Sequence, residues 1–290
     1  MSRGRGERVN GGERTGPMKA SPNGVRPFLP LSPSPLPPFD MPKALRIILV
    51  IIALIGLMPL LAQAYGPATV KRMTDVTLRL APPSLRAVLL ANRGSLDRGV
   101  ADALGSFGHS PEEVVLAEAQ REFDAIRILP SSQAPLAQIA YHFGRLSGLI
   151  YAANDPLARG EDGRTIQVRQ DYSGYIERKL PLMVFAFDGY GAPPLEKDLR
   201  AYLEARAAGE GRYREAVLFC YFPQGRQVSS ETFDDRSNAF GTAQVVLSHA
   251  VSDAAKAWLQ VWRGMEGDLS ATPYYRPAEL GTKSSESKLE

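Results

Sequence analysis

The chain has one cysteine, Cys220, and three histidines, His109, His142 and His249, in 290 residues. A lone thiol cannot close a disulfide within the chain, so covalent cross-links contribute nothing to its stability. Cys220 lies in the apolar run AVLFCYF and reads as a core side chain rather than a reactive thiol. Residues 65–290 also lack strict apolar–polar alternation and any internal repeat, which argues against a sheet or a solenoid. A charge excess is missing too. Residues 1–64 hold 8 of the 34 Lys and Arg and 3 of the 31 Asp and Glu, leaving 26 basic against 28 acidic residues and a net of −2 over 65–290. The basic balance of the whole chain comes from its first 64 residues, and no charge argument points to nucleic acid as a partner.

The first 64 residues divide in two. Residues 1–40 carry eight prolines and six glycines with no hydrophobic periodicity. Such a stretch cannot bury enough apolar surface to offset its ordering entropy, so it is expected to be a disordered extension. Residues 41–64, MPKALRIILVIIALIGLMPLLAQA, have the grammar of a secretory signal peptide: Lys43 and Arg46, an apolar run from Ile47 to Leu57, Pro59, and the small-x-small site Ala62-Gln63-Ala64. Cleavage there implies export, to the periplasm or outside the cell. The rival reading is an uncleaved anchor, since Ala44–Ala62 is long enough to cross a bilayer core of about 30 Å. If it stays uncleaved, the membrane is met only through this segment, and without a cysteine beside Ala64 lipoprotein processing is excluded.

Residues 65–270 suit one domain with a full core. Helical spacing predicts elements over 70–80, 84–92, 135–153, 194–208, 212–222 and 236–265. Ser110-Pro111-Glu112-Glu113 reads as a helix start, with Ser110 as cap, of an element running to Leu129. Residues 159–166 read as a loop, and Tyr172–Phe187 as a helix ending in the apolar run LMVFAF. Asp234-Asp235-Arg236 is expected to cap the long last helix, whose seam is Phe240, Ala243, Leu247, Val251, Ala254, Trp258 and Trp262. Residues 271–290 are expected to form a disordered tail. The class is all-α, a single bundle of about seven helices.

One helix is bare on one side. Ala140, Gly144, Gly148 and Ala152 recur every four residues, and the helix runs into the turn Asn154-Asp155-Pro156. Two glycines inside a helix cost up to about 1 kcal/mol each relative to alanine. They imply either a second helix at close approach or a groove with truncated walls.

The stretch LSGLIYAANDPLA resembles the metal-binding heart of the zinc-dependent phospholipase C family, whose relatives include the fungal-type single-strand nucleases. That family carries a His, an Asp four residues on, an N/Q-P turn, and a second His ten residues after the first. Residues four apart share a helix face, and the turn swings the second His to the same ion. The ligand positions fall here on Gly148, Ala152 and Ala158, none of which can ligate. The opening Tyr65-Gly66-Pro67-Ala68-Thr69-Val70 is similar to the family's Trp-Gly start, with Val70 where a ligand His is expected. The family also carries a His and an acidic residue after the turn; Arg169–Glu177 here has no His. The residues from Phe233 to Trp262 are similar to the last helix of bacterial members. The resemblance implies a phospholipase C-like helical fold with its metal site lost. Three histidines in the whole chain cannot rebuild a trinuclear zinc cluster, which takes about five with several carboxylates.

The remaining candidates have plain readings. Asp155 suits its turn. His142 and His249 read as ordinary helix residues, and His109 as a helix-start residue with a minor claim to be a surviving ligand. Ser248, His249, Ser252 and Asp253 cannot form a triad, because near neighbours on one helix point apart. The expectation is therefore an exported, non-catalytic binding or structural domain of the cell envelope, with no cofactor and a lipid or other envelope component as partner. The alternative is a phosphodiester or phospholipid hydrolase with a reduced zinc site built from His109, His142 or nearby carboxylates.

Overall fold

The computed structural model describes residues 65–158, 163–191, 195, 198–208 and 211–276. The extension, the signal segment and the chain beyond Arg276 lie outside the described residues. Within them the fold is all-α, with nine helices: α1 Pro67–Leu80, α2 Pro83–Ala91, α3 Arg93–Phe107, α4 Glu112–Ile128, α5 Leu136–Ala153, α6 Gly163–Lys179, α7 Leu199–Ala208, α8 Gly211–Tyr221 and α9 Asn238–Gly264. Among these residues no helix is long and apolar enough to cross a membrane.

Local chemistry sets most boundaries. Prolines open α1 and α2 at their first positions, where a missing N–H costs nothing. Glu112 and Glu113 place negative charge on the first turn of α4. The expected caps are displaced. Ser110 Oγ donates back to the Ser106 carbonyl at the end of α3, 3.5 Å away, and Pro111 leads into α4. Ser237, not the Asp234-Asp235-Arg236 stretch, caps α9 by accepting from the Phe240 amide at 3.2 Å. Asp234 closes its own turn, accepting from the Arg236 amide at 3.0 Å.

The core is organised around α5 and α9, which are buried along most of their lengths. Trp258 of α9 meets Phe143 of α5 edge-on, ring centres 5.9 Å apart, and donates its indole N–H to the Phe143 carbonyl at 3.3 Å. Thr77 of α1 and Tyr151 of α5 share a buried hydroxyl hydrogen bond of 3.1 Å, and α4, α8 and α6 complete the shell around α9.

Two segments depart from the expectation. Residues 93–107, where periodicity marks no helix, form α3. Gly94, Ser95, Gly99, Gly105 and Ser106 give it weak intrinsic propensity, so its stability comes from packing against α5, the most closely engaged helix pair in the fold. The element expected over 172–187 instead spans 163–179. It stops before Pro181, and residues 183–190 run extended as a strap over α9. The amides of Val184, Ala186 and Asp188 donate to the side chains of Gln244, Ser248 and Ser252 at 3.5, 3.0 and 3.3 Å. Two residues of strand advance about 6.6 Å and four of helix about 6.0 Å, so alternate strap amides meet successive turns of α9. The packed chain continues past residue 270: Thr272 is buried and Tyr275 packs edge-on against Tyr190.

Candidate functional site

The bare stripe of α5 faces α3. A Cβ on Gly148 would lie 2.7 Å from both Ala103 Cβ and the Val100 carbonyl oxygen, and one on Gly144 would fall inside the Leu96 carbonyl. The contact is reciprocal, because a Cβ on Gly99 of α3 would lie 2.8 Å from the Arg145 amide. Glycines on both helices therefore let the two backbones touch. No groove exists at this place.

The four positions where the resemblance puts ligands sit as follows. Gly148 is covered by α3. Ala152 is buried, and its carbonyl accepts from the Asp155 amide at 3.2 Å in the turn. Ala158 is half-buried after that turn, and Val70 packs half-buried at the core's edge on α1. His109 lies exposed with Nδ1 2.5 Å from Arg169 Nη1, so the guanidinium takes up the lone pair a metal would need. His142 Nδ1 is 2.5 Å from the buried Glu122 carboxylate, and His249 packs edge-on with Tyr213. Among the described residues no three His, Cys, Asp or Glu side chains gather where one ion could be held, and Val70, Gly148, Ala152 and Ala158 offer no ligating side chain. Glu177, the acidic residue of the stretch after the turn, serves α1 instead: its Oε1 accepts from the Thr69 amide at 2.9 Å, on the third residue of that helix.

The Asn154-Asp155-Pro156 turn is a junction. Asp155 Oδ1 accepts from the Leu157 amide at 2.9 Å, and Oδ2 accepts from Arg169 Nη2 at 2.8 Å. Arg169 also donates to the Gly108 carbonyl, tying α6 to the end of α3. Asn154 Nδ2 donates to Asp253 Oδ2 at 3.3 Å.

Asp253 lies at the centre of a buried charge cluster that periodicity alone does not reveal. Its carboxylate also accepts from Tyr202 at 2.6 Å and from Arg206 at 3.1 Å. Lys256 donates to Tyr202 Oη at 3.2 Å and pairs with Asp188 at 3.2 Å, and Arg206 pairs with Asp188 at 2.9 Å. Burial pushes the Asp253 carboxyl up, against the opposing pull of Arg206, Tyr202 and Lys256. Burial also pushes the Lys256 ammonium down, countered by Asp188 and Asp253. Two anions face two cations, and the Asp253 oxygens are taken up by three donors. The cluster joins the turn after α5, the strap, α7 and α9. Its chemistry is that of a buried tie, with no nucleophile held toward a substrate. The available signal was the occurrence of Asp253 and Lys256 within the otherwise apolar stretch AVSDAAKAWLQVW.

A concavity does exist elsewhere, between the C-terminal end of α1 and the strap, with a volume of about 590 Å³. Val251 of α9 forms its floor, Val76 one wall, and Phe185 and Phe187 the other, with Tyr274 at the mouth. The groove exists because the chain leaves its helix at Lys179 and runs on as the strap, where a helix over 172–187 was expected. Pro181, which cannot continue a helix, was the sign that could have shown it.

Comparison with protein-family models, with curated proteins and with solved structures finds no match for the chain.

Proposed function

We propose that this chain is a non-catalytic binding domain of the cell envelope, exported by its 41–64 segment and related in plan to phospholipase C with the metal site given over to packing. The observation that carries the reading is the contact of Gly148 with Val100 and Ala103: where the resemblance puts a ligand histidine, there is room for no side chain at all. The guanidinium of Arg169 against His109 Nδ1 weighs in the same direction, and against the hydrolase alternative. Binding rather than pure scaffolding is supported by the groove beside the strap, whose volume lies within the range of small-molecule sites.

The deciding experiment is metal analysis of the purified chain, together with an assay of phosphodiester and phospholipid hydrolysis with and without chelator. The expected result is no stoichiometric zinc and no chelator-sensitive hydrolysis. Several zinc ions per chain, or hydrolysis abolished both by chelator and by His109→Ala, would sink the reading. Export is checked separately: the N-terminal residue of the exported protein is expected to be Tyr65.

A further inference from the structure

We infer that the groove between α1 and the strap binds the alkyl chain of a straight-chain carboxylate, with Arg79 holding the anionic head; the inference names the ligand of the binding domain proposed above and rests on that reading.

Three observations converge on this class. The lining is apolar and aromatic, from Val76, Phe185, Phe187, Val251 and Tyr274, and Arg79 is its one charged member among the described residues. Arg79 is exposed and has no ion-pair partner among those residues, whereas the other cations near the strap, Arg206 and Lys256, are paired with Asp188. Arg72 lies seven residues earlier, on the same face of α1, and is likewise exposed and outside any ion pair among the described residues, so this edge of the groove is positive. Arg79 also complements the C-terminal end of α1, which is an ordinary role for a last-turn cation. The Leu80 carbonyl at that end accepts from Tyr190 at 2.6 Å, so this acceptor is bonded within the protein and Arg79 is not drawn to it. An apolar trough with one unpaired cation among the described residues selects an apolar chain ending in a single negative charge. It disfavours a cationic or a neutral polar head.

The wall is held in place independently of any ligand. The strap amides are pinned to Gln244, Ser248 and Ser252, and the Phe187 ring is locked edge-on against Tyr190 with centres 4.8 Å apart. Tyr274, largely exposed and 5.9 Å from the Phe187 ring, is placed to close over a bound chain. A preformed wall avoids the ordering cost of making the site on binding.

The test is calorimetric titration of the full chain with octanoate, decanoate and dodecanoate below their aggregation concentrations, and with dodecyltrimethylammonium. Affinity is expected to rise about fourfold per added methylene until the groove is full. The carboxylate is expected to bind at least tenfold more tightly than the ammonium of equal chain length. Arg79→Glu, at an exposed position that folding tolerates, is expected to reverse that preference. Val76→Trp, which fills the groove, is expected to weaken both ligands at least tenfold. Uptake by the apolar 41–64 segment would respond to neither substitution. No binding, equal affinity for the two heads, or insensitivity to Arg79→Glu would overturn the inference. A metal-free chain with an inert groove would overturn this inference alone and leave the proposed function standing. A zinc-loaded chain that binds dodecanoate as described would do the reverse.

Discussion

A Cβ on Gly148 of α5 would lie 2.7 Å from the carbonyl oxygen of Val100 on α3, a separation that real Cβ atoms do not reach. The same residue marks the point where a metal-binding helix of the resembling family would carry a ligand. Close packing of two backbones therefore falls at the position where the resemblance puts a ligand.

Gly148→Ala is expected to destabilise the domain by about 1–3 kcal/mol, because the added methyl meets backbone rather than a movable side-chain end. Gly105→Ala on α3 is the internal control. Its Cβ would meet nothing within 4 Å, so helix propensity alone acts and the expected change is a gain of up to about 1 kcal/mol. Urea unfolding midpoints of opposite sign for the two variants check the assignment. Equal signs would show that the two helices do not touch there.

Glu177 acts as a cap supplied from another helix. Removing it in Glu177→Ala leaves the Thr69 amide without its partner and takes a negative charge from the start of α1. A cost of about 1 kcal/mol is expected, with Glu177→Gln losing less because its amide oxygen still accepts. Chemical denaturation of the two variants distinguishes this role from a ligand role, which would leave stability unchanged in metal-free protein.

Asp253 holds three donors in the core, each of them also bonded to another partner. Asp253→Ala is expected to cost about 3–5 kcal/mol, since Arg206 and Lys256 would keep their charges in a buried site with only Asp188 opposing them. Lys256→Met is expected to cost less: its stem volume is kept, and Asp253 retains Tyr202, Arg206 and Asn154. The reverse order in equilibrium unfolding would mean that Lys256, not Asp253, organises the cluster.

Asp75 supplies a pH dependence. Burial works to raise its carboxyl, but hydrogen bonds from Lys71 at 2.7 Å and Arg93 at 2.6 Å outweigh burial and hold it below the ordinary value of 3.8. A carboxyl lowered by folding stabilises above its unfolded value, and that stability is lost as the pH falls through the folded value. The groups are partly exposed, so the amount is about 1 kcal/mol or less. Asp75→Asn is therefore expected to be less stable than the parent at pH 7 and to converge with it below pH 3.8. A constant gap across that window would count against the pairing.

The legible parts of the fold are those where pattern and environment agree. The seams of α5 and α9 repeat at helical spacing, and both helices lie where those seams demand, with Phe143 against Trp258. The NDP turn was legible as a turn, and Asp155 closes it by accepting from Leu157. The class and approximate number of helices followed from such stretches. The caps were legible only to within a few residues, because the Ser110 hydroxyl turns back to the Ser106 carbonyl and Ser237, three residues past Asp234, takes the Phe240 amide.

The sequence by itself determined that the domain is helical, that its core is a set of apolar stripes, and that no disulfide holds it. These follow from local periodicity and from counts that no folding can change. Tertiary structure alone decided the rest. Residues 93–107 are helical because α5 presents a bare face to them, and residues 183–190 are extended because α9 offers side-chain acceptors at the right rise. Asp253, Lys256, Tyr202, Arg206 and Asp188 meet only when helices and strap far apart in sequence dock. Contacts of that kind carry no local periodicity, because the partner of each residue is set by the path of the whole chain.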